Sequence, residues 1–116
     1  MKNDVIFFGW NRSIPGREHL SKNHFEEFNH YLAGLQQENA ISSFDVVILD
    51  SHGGDLNGFF LIRGDTTKLD AILKSERWRT HLVRAALHLE GSGAVRGVTG
   101  DQVMERMRIW SNNIPA

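Results

Sequence analysis

The chain contains no cysteine. That excludes a disulfide framework, a thiolate nucleophile and a cysteine-ligated zinc site. It also lacks any apolar run approaching the ~20 residues a membrane-spanning helix needs, so no membrane partner is expected. An excess of one charge is missing too: 13 Lys+Arg stand against 14 Asp+Glu, for a formal net charge of −1. A sequence-independent nucleic-acid binder needs a net basic face to displace counterions, so no nucleic-acid partner is expected. Between Met1 and Gly9 the apolar stretch is only Val5 to Phe8. That is too short for a signal-peptide core, and a cytoplasmic location is expected. The six histidines show no H-x-x-x-H or H-E-x-x-H spacing, so no metal site is expected. No G-x-x-x-x-G-K-[ST] occurs, and no G-x-G-x-x-G opens a helix, so no phosphate loop or cofactor fingerprint is found.

What is present is ordinary for a globular protein: 116 residues, 41% apolar and 23% charged. This length is read as one domain over residues 1–116, able to bury roughly two-thirds of its unfolded surface. Val5 to Trp10 (VIFFGW) predicts a strand, and Pro15-Gly16 punctuates the loop after it. Leu20, Phe28, Leu32 and Leu35 recur at helical spacing between Arg17 and Asn39. Phe44 to Gly64 (FDVVILDSHGGDLNGFFLIRG) predicts two strands joined by a glycine-rich turn centred near Gly54. Asp65-Thr66 offers a helix cap, and Ser75 can recap a second helix bearing Trp78, Leu82, Ala85 and Leu89. Ala94 to Val98 predicts a fourth strand, and Thr99 with Gln102 fits a capping box before a last helix.

The order strand, helix, strand, strand, helix, strand, plus a terminal helix predicts an α+β fold. It is the ferredoxin-like βαββαβ pattern with a C-terminal helix and a four-stranded antiparallel sheet. Side chains alternate along a strand, so Val46 and Ile48 face one way while Val47 and Leu49 face the other. Phe59/Leu61 and Phe60/Ile62 divide likewise. Helices cover one face of such a sheet, so the other would show a large apolar patch. A homodimer, pairing sheet on sheet, is expected to cover it. The competing arrangement folds the terminal helix across the bare face.

The stretches GWNRSIPGRE (Gly9 to Glu18), HGGDLNGFFLIRG (His52 to Gly64) and SERW (Ser75 to Trp78), with the element order, resemble the dimeric α+β-barrel superfamily. The resemblance implies two ferredoxin-like sheets paired into a barrel, with a pocket in each subunit between sheet and helices. Members include cofactor-free monooxygenases, muconolactone isomerases and haem-dependent enzymes, so the fold alone leaves the activity open. The resemblance implies a pocket for a small organic molecule, in either a cofactor-independent enzyme (monooxygenase- or isomerase-like) or a non-catalytic binding or assembly protein.

Two histidines are candidate acid–base catalysts. His24 lies four residues from both Leu20 and Phe28, so its ring should face the sheet. A core histidine bonded to a backbone carbonyl would sit at the same place. His52 lies beside Gly53-Gly54 with Asp50 and Asp55 nearby, where a carboxylate could orient the ring. A plain turn has the same composition. Trp10, Phe28 and Trp78 are candidate pocket walls, and His81 a candidate for its mouth. His81 and His88 share a helix face that solvent could equally claim. Arg12 and Arg63 are candidate anion anchors, with an Asp45–Arg63 ion pair across the hairpin as the alternative for Arg63.

Overall fold

The computed structural model describes residues 3–116; Met1 and Lys2 lie outside the described residues. In chain order the elements are β1 (Asn3–Trp10), β2 (Arg12–Ser13), α1 (Glu18–Gln37), β3 (Ser43–Ile48), β4 (Gly58–Asp65), α2 (Thr66–Lys74), α3 (Glu76–His88), β5 (Leu89–Glu90), β6 (Gly93–Val98) and α4 (Asp101–Asn112). β3, β4, β1 and β6 lie side by side in that order as one antiparallel sheet, the ferredoxin-like arrangement.

Alternation along the strands sorts the sheet into two faces. Ile6 and Phe8 of β1 and Phe60 and Ile62 of β4 are buried under the helices. Phe28, Tyr31, Leu32 and Leu35 of α1, Leu69 and Ile72 of α2, and Trp78 and Ala85 of α3 complete that core. The paired helices α2 and α3 are set by side-chain caps. Asp65 accepts from the Lys68 N–H, and Ser75 accepts from the Trp78 N–H. Ser75 therefore ends one helix and starts the next, which fixes the angle at which α3 returns over the sheet.

The opposite face carries Phe7, Phe59, Leu61, Val47 and Val95 and receives no helix. Phe7 and Phe59 stack there with ring centroids 5.0 Å apart. The arrangement with the terminal helix folded across this face is not adopted: α4 buries none of its residues, and Met104, Met107, Ile109 and Trp110 are exposed. The longest dimension is 52 Å. α4 is tethered through Gln102, whose side-chain amide donates to Asp4 Oδ1 at 2.7 Å. Its N-cap is Gly100, with φ 61°, one residue later than the Thr99 signal suggested.

The hairpin differs from expectation in its register. Ile48 pairs with Gly58 and Ser43 with Arg63, so the connection is centred on Gly53, whose φ is 81°, and runs from 49 to 57. Its return is fixed by Leu49 N–H to Asn57 O (2.9 Å) and Asn57 N–H to Trp10 O (2.9 Å). Among the described residues no helix is long and apolar enough to cross a membrane.

Candidate functional site

A cavity of about 250 Å³ lies between the helix-covered face of the sheet and the helices α1 and α3. Its walls are mainly aromatic and aliphatic: Phe8, Trp10, Phe25, Phe28, Phe60 and Leu89 among them. Trp10 can lie flat over the adjacent strand because its register partner is Gly58. A Cβ at Gly58 would meet the indole ring at 2.4 Å. The polar lining is confined to Ser13, Ser21, Lys22, His24 and His88.

Four of these polar residues belong to one hydrogen-bonded line. Ser13 Oγ lies 2.5 Å from Ser21 Oγ, and Ser21 Oγ lies 2.8 Å from His88 Nδ1. His88 Nε2 lies 2.8 Å from His24 Nδ1, and His24 Nε2 lies 3.0 Å from His81 Nδ1. Each member is positioned by an element whose local structure is explicable. Ser21 and His24 sit one turn apart on α1 and so share a face. His81 and His88 sit two turns apart on α3, in line with buried Trp78 and Ala85. Ser13 is brought in by the short β2–β5 ladder, where Asn11 N–H donates to Glu90 O and Ile14 N–H donates to His88 O.

The electrostatics keep this line uncharged at neutral pH. Burial, then the nearby Arg84 guanidinium and the neighbouring imidazoles, push His24 down from 6.5 to about 4. Burial and Arg84 also lower His81 and His88. Desolvation of this kind penalises the charged imidazolium. Arg84 is itself held by Glu27 at 2.5 Å across the α1–α3 surface. A neutral imidazole accepts at one nitrogen and donates at the other, so the line can be satisfied with every ring neutral.

The three rings do not form a metal site. His24 turns its two nitrogens to different neighbours, so the three imidazoles never converge on one point, and no metal-binding cluster occurs among the described residues. Ser21 and Ser13 line the cavity, and their hydroxyls can donate to or accept from a bound oxygen.

The residues singled out from sequence fall into two groups. Trp10, His24 and Phe28 line the cavity, and His81 joins His24 just behind it. Trp78 lies behind the wall instead: it is 1% exposed and packs edge-on against Phe8. His52 is exposed in the 49–57 connection, where its Nδ1 lies 3.0 Å from the Asp50 carbonyl oxygen, away from the cavity lining. Arg12 is exposed and paired with Glu90 at 2.7 Å, because these residues face each other across the β2–β5 ladder. Arg63 lies on the bare face with Phe59 and Leu61, opposite the cavity, and pairs with Asp45 at 2.8 Å. That pair is diagonal, Arg63 standing directly across from Ser43. An arginine anchor for an anion is therefore not part of this cavity; its lining cation is Lys22.

Sequence reasoning missed Ser13, Ser21 and His88 as site residues. His88 carried a usable signal, since Trp78, His81, Ala85 and His88 recur at helical spacing. Ser21 carried one too, a turn before His24. Ser13 carried none, because a two-residue ladder places it.

No protein-family profile and no curated protein sequence matches this chain. Solved structures do. A DABB family protein with a ferredoxin-like fold from Mesorhizobium loti aligns with a TM-score of 0.68 at 10% identity, over 86% of this chain and 99% of that one. A dimeric ferredoxin-like protein of unknown function from Bacteroides fragilis aligns at 0.62 and 9% identity, over 84% and 96%. SnoaB, a cofactor-independent oxygenase from Streptomyces nogalater, aligns at 0.58 and 9% identity, over 87% and 96%. At such identities the likeness is one of fold, and by fold this chain is a ferredoxin-like α+β protein.

Proposed function

We propose that this protein is a cytoplasmic homodimer that binds a small aromatic or enolisable molecule in the cavity and removes a proton from it without a cofactor. The reaction class would be isomerase- or monooxygenase-like. The observation that carries this reading is the cavity's division into an aromatic wall and a single polar end, Ser13–Ser21–His88. Pockets of this build orient a ligand with few polar groups while the apolar wall supplies affinity. Held dry, a neutral serine–histidine pair can take a proton from a carbon or phenol whose anion the site then stabilises. Ser21 would meet the substrate and His88 would accept the serine's proton; Lys22 at the rim would face the developing anion. The cofactor-independent oxygenase among the fold neighbours supports the class of chemistry, and the apolar bare face supports the dimer.

A non-catalytic binder is the second reading. It is favoured by one feature: both nitrogens of His24 and of His88 are already engaged within the protein. The two separate in one experiment. Phenols, naphthols and cyclic ketones are screened by thermal shift, and hits are incubated with protein in D₂O. Deuterium entering the acidic C–H position, and lost in Ser21→Ala, is the expected result for the enzyme. Binding with no deuterium uptake sinks the catalytic reading and leaves the binder.

A further inference from the structure

Ser21 stands at one end of the hydrogen-bonded line, and His81 stands at the other, half-buried at the surface between α1 and α3. We propose that His88, His24 and His81 form a proton relay, carrying a proton between Ser21 at the cavity and solvent beside His81. The inference rests on the proposed proton abstraction for its use, but the relay itself is a property of the ligand-free protein.

Three observations carry it. The first is continuity: the three N···N and N···O separations from Ser21 to His81 are 2.8, 2.8 and 3.0 Å, all within hydrogen-bond range. The second is economy of partners. A structural core histidine normally anchors a backbone carbonyl, yet His24 and His88 direct both ring nitrogens along the line. The third is rigidity. The His24 and His81 rings lie within 9° of parallel, and Tyr31 packs on His81 with ring centroids 4.5 Å apart. His88 stands nearly perpendicular to His24, at 86°.

The transfer balances atom by atom. At the start Ser21 donates to His88 Nδ1, and each imidazole carries its proton on Nε2. A proton arriving at Ser21 Oγ from the cavity displaces the hydroxyl proton to His88 Nδ1. His88 Nε2–H passes to His24 Nδ1, His24 Nε2–H passes to His81 Nδ1, and His81 Nε2–H leaves to water. Each ring ends in its other tautomer, with no net charge retained. The charged and titratable groups facing the line are Arg84 and Arg77 from α3 and Glu27 and Tyr31 from α1. The cations disfavour a resting imidazolium, so a proton entering the line is passed on rather than stored. Burial acts in the same direction.

The test is nitrogen-15 NMR of the ligand-free, labelled protein at neutral pH. The expected spectra show His24, His81 and His88 neutral and in matched tautomers, all protonated on Nε2 or all on Nδ1. Exchange of the His24 and His88 ring protons with water should slow at least tenfold in His81→Phe. Mismatched tautomers in the wild type, or equal exchange in wild type and His81→Phe, would overturn the relay. The tautomer measurement uses the unmodified chain, so it decides even if His81→Phe misfolds. Failure of the relay leaves the ligand screen untouched, and failure of the screen leaves the relay spectra untouched.

Discussion

Protonation of His24 should destabilise this protein from the middle of its core. The ring is 5% exposed, and its neutral form is favoured by burial and by Arg84. Its value is 6.5 for a free side chain and about 4 in the fold. Between those values the unfolded chain binds the proton and the folded chain does not, so stability rises with pH. Neutral His24 thus costs nothing above pH 6.5, and the fold loses stability as pH falls from 6.5 towards 4. The gap corresponds to roughly 3 kcal/mol, of which about 2 kcal/mol is gone by a pH of about 4.5. The lowered values of His81 and His88 add to the same trend. Urea denaturation at several pH values between neutrality and about 4.5 measures it, with m checked for constancy. The control is His24→Phe, which fills the site and removes the titration; its curve should be flatter by about 2 kcal/mol over that window. Parallel curves for wild type and His24→Phe would refute the reasoning, because the acid sensitivity would then lie elsewhere.

Two further outcomes follow from other parts of the molecule. Asp4 is buried on β1 and accepts from Arg96, which also reaches Asp70, and from Gln102. Asp4→Ala strands a partly buried guanidinium and frees α4, and should cost about 3 kcal/mol by urea denaturation; a loss under about 1 kcal/mol would show that Asp70 alone satisfies Arg96. Leu61 lies on the bare face in the second strand of the sheet, opposite Phe7. Light scattering should give wild-type protein a mass near twice 13.2 kDa and Leu61→Asp a mass near 13.2 kDa; a wild-type monomer at micromolar concentration would remove the dimer.

Much of the architecture was legible because it follows from periodicity and caps. The double-sided apolarity of VVIL and FFLI, in β3 with its exit and in β4, announced a sheet with two demands, one answered by the helices. Ser75 was readable as a cap because a hydroxyl there can take the Trp78 N–H, as it does. His24 was readable as inward-facing from its spacing to Phe28. What escaped was governed by long-range placement. The 49–57 connection was read two residues out of register, because its residues specify a turn without specifying its centre. An even-numbered slip keeps every side chain on its face, so the pattern itself could not expose the error. His52 looked like a site because turn formers and catalytic residues share a composition. His88 looked solvated because the inward stripe of α3 was centred on Leu82 and Leu89 instead of His81 and His88, a rotation of about one residue.

The two faces of the sheet carry separate sets of side chains. Every residue of the histidine line comes from α1, α3 or the short strand β2, and the cavity walls come from β1, β3, β4, β5 and those helices within one chain. No group on the bare face lines the cavity. The proposed association through Phe7, Phe59 and Leu61 and the proposed chemistry through Ser21 and His88 therefore answer to different side chains, the first on strands and the second on helices. Phe59 and Phe60 are neighbours in sequence, yet one meets Phe7 on the bare face and the other lines the cavity beside Trp10. Because alternation fixes that separation, a substitution at an odd-numbered position of β4 can change assembly without moving the site. On the proposed reading, the pairing surface can stay constant while the even-numbered positions and the helices above them change what the cavity binds.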